Sequence, residues 1–183
     1  MNAFVDAAVI LLLLGLALGA PESGLDWLAA APAACWVAVA TPALVRSDLE
    51  HRRLPNALTL PAVGLVALSA AGSWVFGEGG RDPALALGLC LIISAVGFWA
   101  SARGGVGMGD VKLAVALVGS ATLVDVRSLA VVALVTGASG VAAAVVAVRR
   151  HRATSIAYGP CLLAGYWCGL VAARIAAWPG PAG

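Results

Sequence analysis

Seven nearly uncharged, apolar stretches recur along the chain, and they leave few places other than a lipid bilayer where such a polypeptide could bury itself. They run from Ala3 to Ala20, Leu28 to Val45, Pro55 to Phe76, Pro83 to Ala102, Val111 to Val124, Ser128 to Val148 and Ile156 to Trp178. A helix needs about 20 mostly apolar residues to cross the hydrocarbon core. Only structures that satisfy their own backbone hydrogen bonds can do so. The pattern predicts an all-α, polytopic membrane helix bundle of about seven transmembrane helices, with six as the alternative count, forming one membrane-embedded domain over residues 1–183. The fifth stretch is too short for an ordinary span, so it is expected either to lie tilted inside protein or to begin in a polar cavity.

Composition excludes the main alternatives. Only 11% of the residues are charged and 62% are hydrophobic, against about 25% charged in soluble domains, which leaves too little polar surface for a soluble enzyme. The 11 basic and 9 acidic residues give a net charge of +2, too small and too scattered for a nucleic-acid-binding surface. Cys35, Cys90, Cys161 and Cys168 lie in apolar stretches with no CxxC pair. They read as small buried hydrophobes and suggest neither a disulfide framework nor a zinc site.

The connecting segments sort by charge. Arg46, Arg52, Arg53, Arg103, Lys112, Arg149, Arg150 and Arg152 flank the second, fourth and sixth loops, whereas Glu22, Asp26, Glu78, Asp82 and Asp125 occupy the first, third and fifth. The positive-inside rule makes the basic side cytoplasmic, which places the amino terminus inside. The first stretch also admits reading as a cleavable signal peptide, but Asp6 stands where a secretory sequence carries basic residues. The pairs Gly15 with Gly19 and Gly165 with Gly169 have the spacing of close helix packing and are read as packing.

Acidic residues at the ends of spans on the basic side require a reason, because charge at membrane depth is costly. Asp48 follows the second span within the run Arg46-Ser47-Asp48-Leu49-Glu50-His51-Arg52-Arg53-Leu54-Pro55-Asn56, and on its own reads as a solvated loop acid that neutralises nearby arginines. Asp110 opens the fifth span after Gly104-Gly105-Val106-Gly107-Met108-Gly109. Helix capping explains an aspartate there. It does not explain four glycines in the six preceding residues, which suit a loop shaped for close approach. If the two carboxyls converge, repulsion prevents both from ionising and one proton is shared, the arrangement of an aspartic protease. One carboxylate then takes a proton from water and the other polarises a peptide carbonyl. No metal, cofactor or serine or cysteine nucleophile is called for. His51 and His151 sit among arginines without HExxH spacing and read as solvated loop residues.

Three blocks resemble the type IV prepilin peptidases, a branch of the GxGD aspartic membrane proteases. They are Asp48-Leu49-Glu50 leading to Leu54-Pro55-Asn56-Ala57-Leu58-Thr59-Leu60-Pro61, then Gly107-Met108-Gly109-Asp110-Val111-Lys112-Leu113, and finally Ile156-Ala157-Tyr158-Gly159-Pro160. In the last block Ala157 replaces a proline common in the family. The resemblance implies Asp48 and Asp110 as the catalytic pair of an endopeptidase. Its substrate would be a type IV prepilin or pseudopilin, whose basic leader is cut off at the cytoplasmic face of a bacterial inner membrane. The first loop has no cysteine, unlike that of the bifunctional members, so peptidase activity without N-methyl transfer is expected.

Gly107 and Gly109 are assigned to backbone shape. Lys112 is expected either to stabilise a carboxylate or substrate carbonyl or to extend to the headgroups. Tyr158, Gly159 and Pro160 are expected either to line the substrate groove or simply to start a helix. The competing functions are a small proton-coupled transporter, which would place acids near the midplane and often show repeats, and an inactive assembly factor of the same fold. The oligomeric state is not encoded in any of these features.

Overall fold

The structure, a computed structural model, describes residues 3–18, 25–76, 82–104, 106–149 and 157–176. Among them are seven helices and no strand: α1 (Ala3–Leu18), α2 (Leu25–His51), α3 (Asn56–Phe76), α4 (Pro83–Ala102), α5 (Met108–Val124), α6 (Ser128–Arg149) and α7 (Gly159–Ala176). The protein is a helical membrane bundle, as the hydropathy pattern predicts. Helices α3, α4, α6 and α7 are each long and apolar enough to cross a membrane, while α1 is a shorter apolar helix. Of the charged loop residues, Glu22, Glu78, Arg150 and Arg152 lie outside the described residues.

Helix α5, only 17 residues long, owes its tolerance of that length to its position. It is touched by α2, α3, α4, α6 and α7, and nearly every residue from Val111 to Leu123 is buried. A helix surrounded by protein need not match the bilayer thickness. Around it, α4 packs on α3, α3 on α2, α2 on α7 and α7 on α6, with α1 outside against α2 and α7.

The main core lies between α2, α5 and α7, where Leu44, Leu113, Leu117, Leu163, Tyr166 and Leu170 pack together. A smaller cluster of Val66, Ala70, Ala86, Cys90, Val115 and Leu123 joins α3, α4 and α5. Large buried polar groups find partners there, as burial requires. The Tyr166 hydroxyl shares a 2.9 Å hydrogen bond with Ser120 Oγ, and Trp167 Nε1 donates to Thr41 Oγ1 at 3.2 Å.

Small residues bring α6 and α7 together. A Cβ on Gly165 would collide with Thr136 Oγ1 and stand 2.7 Å from the Val132 carbonyl oxygen, and one on Gly169 would stand 2.5 Å from Val132 Cγ2. This pair is a packing device. Gly15 is not, since no described residue lies within 4 Å of a Cβ there; its partner Gly19 lies outside the described residues.

At one end of the bundle the Arg46 guanidinium pairs with Asp6 at 2.6 Å, which puts the start of α1 beside the end of α2, as the alternation of charged loops requires. Arg174, on α7, donates to the carbonyls of Leu16 and Ala17 at the last turn of α1. Asp82 caps α4 by accepting from the Leu85 N–H at 2.9 Å, with Pro83 in the first turn where a missing N–H is free of cost.

Candidate active site

Helix α2 continues beyond Val45 to His51, so Asp48 stands in its last turn and is not a loop residue. The solvated-acid reading is therefore corrected: Asp48 is only 4% exposed, and Arg46, an arginine it would have neutralised, is paired with Asp6 instead. The helix stops at Arg52, whose φ of 52° is left-handed and whose N–H donates to the Asp48 carbonyl at 2.9 Å. Non-glycine residues enter that region at a cost and are held there by surrounding structure. Here Ser47 Oγ holds the corner by donating to the Arg53 carbonyl at 2.8 Å. The turn drives Leu54 into the main core.

Leu54 is the point on which two other helices rest. A Cβ on Gly109, at the start of α5, would lie 3.0 Å from Leu54 Cβ, and one on Gly159, at the start of α7, would lie 3.4 Å from Leu54 Cδ2. Glycine at these two positions allows both helix starts to close on the α2 to α3 corner. The Gly159 N–H donates to Asp48 Oδ2 at 2.8 Å. It is one of the amides that the first turn of α7 leaves without an intrahelical acceptor, at the positive end of the helix dipole. A side chain on Gly159 would occupy the carboxylate's place, since its Cβ would stand 2.8 Å from Asp48 Oδ2.

Asp110 is the third residue of α5, not its cap. Gly107 holds the cap position, without a side-chain hydrogen bond, so the capping explanation of Asp110 is also corrected. The glycines before it have separate reasons. Gly104 has a φ of +74°, and a Cβ on Gly107 would press on Asp110 Oδ2 at 3.2 Å. Gly105 lies outside the described residues.

Both carboxyls lie beyond the apolar portions of their helices, and both are pushed above the ordinary aspartate range. For Asp48 the cause is burial, opposed by the Gly159 amide. For Asp110 burial comes first and the Asp48 charge adds to it, raising the group to about 6. The Asp48 charge thus reaches Asp110 and disfavours its ionisation. They differ in support: Asp48 is hydrogen-bonded in its charged form, whereas no described residue donates a hydrogen bond to the Asp110 carboxyl. A carboxylate that accepts an amide hydrogen bond, beside one with no such donor that favours its proton more strongly, can serve as base and acid.

Of the other predicted residues, Tyr158 precedes the Gly159 amide that reaches Asp48, and its ring packs on α6, where a Cβ on Gly140 would stand 2.6 Å from Cε2. Lys112 has a partner that the sequence did not suggest: its Nζ donates to Asn56 Oδ1 at 2.9 Å, tying α5 to α3 at the surface. Pro160 is in the first turn of α7, where proline suits a helix start. His51 is exposed at the end of α2, and His151 is outside the described residues. Among the described residues no group of three or more His, Cys, Asp or Glu side chains could hold a metal ion.

Sequence reasoning assigned no role to Leu54, Arg52, Asn56 or Gly140. An apolar residue inside an arginine-rich loop was the available signal for Leu54. Arg52 carried none, because arginine does not mark left-handed backbone.

Comparison with known proteins bears on the same segment. A model of the type IV leader peptidase family matches residues 34–148, a span that contains Asp48 and Asp110. No curated protein and no solved structure matches the chain. The family model spans more than half of the sequence and covers both carboxylate blocks, and so the chain belongs to the type IV leader peptidase family.

Proposed function

We propose that the protein is an aspartic endopeptidase that removes the basic leader of type IV prepilins or pseudopilins at the cytoplasmic face of a bacterial inner membrane. The observation that carries this reading is that the starts of α5 and α7 close on Leu54 at the end of α2, which brings Asp48 and Asp110 to one end of the bundle. Asp48, stabilised as an anion by the Gly159 amide, is the base, and Asp110 holds the proton.

The reaction follows from those two states. Water loses a proton to Asp48 as its oxygen attacks the scissile carbonyl carbon, and Asp110 donates its proton to the carbonyl oxygen. The tetrahedral diol then returns that proton to Asp110, the C–N bond breaks, and the leaving amine takes the proton held by Asp48. Both carboxyls finish as they began. The position of the pair at the ends of α2 and α5 suits a bond at the membrane boundary, and is unlike the midplane acids of a carrier. Peptidase activity without methyl transfer is proposed on the cysteine-free segment between α1 and α2.

The test is cleavage of a reconstituted prepilin-type substrate by the wild type, Asp48→Asn and Asp110→Asn. Each substitution is expected to lower kcat by at least about 1,000-fold with α-helical circular dichroism unchanged. Cleavage retained in either variant rejects the pair.

A further inference from the structure

Between His51 and Asn56 the corner from α2 to α3 has one buried side chain. His51, Arg52, Arg53 and Asn56 are exposed and Pro55 is half-buried, whereas Leu54 belongs to the main core. Burial of a leucine stabilises any fold. What this leucine touches is more specific, because its two glycine neighbours are the residues through which the carboxyls are placed. Gly109 precedes Asp110 in α5, and a Cβ there would lie 3.0 Å from Leu54 Cβ and 3.5 Å from both the Leu54 nitrogen and its carbonyl oxygen. Gly159 supplies the N–H that Asp48 accepts, and the three atoms nearest a Cβ there are Asp48 Oδ2, Asp48 Cγ and Leu54 Cδ2.

The two contacts fall on different parts of the residue. The start of α5 rests on the backbone and Cβ of Leu54, which any residue except glycine supplies. The start of α7 rests on the end of the side chain. Asp110 is therefore placed by the course of the corner, which the left-handed Arg52 and the Ser47 bond to the Arg53 carbonyl fix. The Gly159 amide is placed by the length and shape of the Leu54 side chain. Within the first turn of α7, Pro160 has no N–H, and the Cys161 and Leu162 N–H groups both donate to the Tyr158 carbonyl. Those bonds are local to the turn and do not set its distance from α2.

We propose that Leu54 is a positioning residue of the carboxyl pair: its δ-methyl, seated on Gly159, holds the α7 amide at hydrogen-bonding distance from Asp48, while its backbone and Cβ support Asp110 through Gly109. The proposal rests on the leader peptidase reading for the reaction that the pair performs. Truncation to alanine keeps the support under Gly109 and removes the one under Gly159, so it acts on the Asp48 side. A leucine that only filled the core would lower stability when truncated and leave the turnover of each folded molecule unchanged. A leucine that aims the amide changes the state of the base, and with it kcat, more than it changes substrate binding.

The experiment compares the full-length wild type, Leu54→Ala, Leu54→Met and Leu170→Ala in phosphatidylethanolamine and phosphatidylglycerol vesicles. Leu170 is a buried leucine of the same core, about 16 Å along α7 from Gly159 at about 1.5 Å per residue. The substrate is a synthetic peptide with a basic leader, a glycine at the cut site and an apolar helix of about 20 residues. Per folded enzyme, Leu54→Ala is expected to lower kcat at least about tenfold with KM within about twofold, and Leu54→Met, whose side chain reaches as far, to restore kcat to within about threefold of wild type. Leu170→Ala is expected to melt at a lower temperature and to keep kcat within about threefold. A second measurement needs no catalysis: amide hydrogen exchange of the fragment 158–163, taken relative to α4, is expected to be at least about fivefold faster in Leu54→Ala and unchanged in Leu54→Met and Leu170→Ala. Unchanged exchange in Leu54→Ala overturns the proposal. So does an unchanged kcat where the wild type is active, or a loss of kcat in Leu170→Ala as large as in Leu54→Ala. Faster exchange in Leu54→Ala beside a wild type that does not cut the peptide keeps Leu54 as the residue that holds the amide and rejects the peptidase reading. If Leu54→Ala does not fold, Leu54→Val, which also lacks a δ-carbon, carries the same expectations.

Discussion

Asp48 receives the Gly159 N–H, and Asp110 receives no such donor among the described residues. A folded-state value of about 6 for Asp110, above the ordinary 3.8, means that the fold favours its protonated form. Its contribution to stability is present below about 3.8 and is lost as pH rises through about 6. Asp110→Asn is therefore expected to unfold at a higher temperature than the wild type at about pH 7.5, with the difference vanishing near pH 4; thermal denaturation at the two pH values checks this. The same titration sets the alkaline limb of kcat/KM, which is expected to fall above about pH 6 as the proton held by Asp110 is lost. Gly159→Ala places a methyl group at the Asp48 carboxylate and is expected to lower kcat more than about tenfold while KM changes little, as steady-state kinetics can resolve. The carboxyls themselves were legible in the sequence because charge at a span boundary is unusual. The amide that Asp48 accepts was not, since a backbone donor leaves no mark in the residue alphabet.

Among the helices, glycines decide how closely neighbours meet. Gly165→Val forces a side chain against the Val132 carbonyl oxygen and is expected to destabilise the α6 and α7 pair by about 1–3 kcal/mol. Gly15→Ala, where a Cβ meets nothing, is expected to be neutral or slightly stabilising. Denaturant titration in detergent compares the two. Lys112→Ala removes an exposed tie to Asn56 and is expected to cost less than about 1 kcal/mol and to leave cleavage within about threefold, because the ammonium is engaged by Asn56 in the resting protein. Spacing gave the same form, G-x-x-x-G, to both glycine pairs. Gly165 and Gly169 have a neighbour opposite them and Gly15 has none among the described residues, and a neighbour is a property of the bundle.

For the bundle as a unit, helix count and order were readable from hydropathy, because lipid leaves the backbone few alternatives to helix. The end of α2 was not. Hydropathy stops at Val45, but the helix runs on to His51 because Asp48 is buried against α7 and Arg46 finds Asp6. The charge alternation also predicts sides: with the native cysteines replaced, Arg127→Cys is expected to react with an impermeant maleimide in intact cells and Arg103→Cys only after permeabilisation. The Gly159 amide has a wider consequence for the molecule. The carboxylate that accepts this amide also fastens the first turn of the last helix, so in the proposed reaction a proton taken up by Asp48 is expected to slacken that fastening. Under that proposal, one and the same hydrogen ion would time both the chemistry and the hold of α2 on α7.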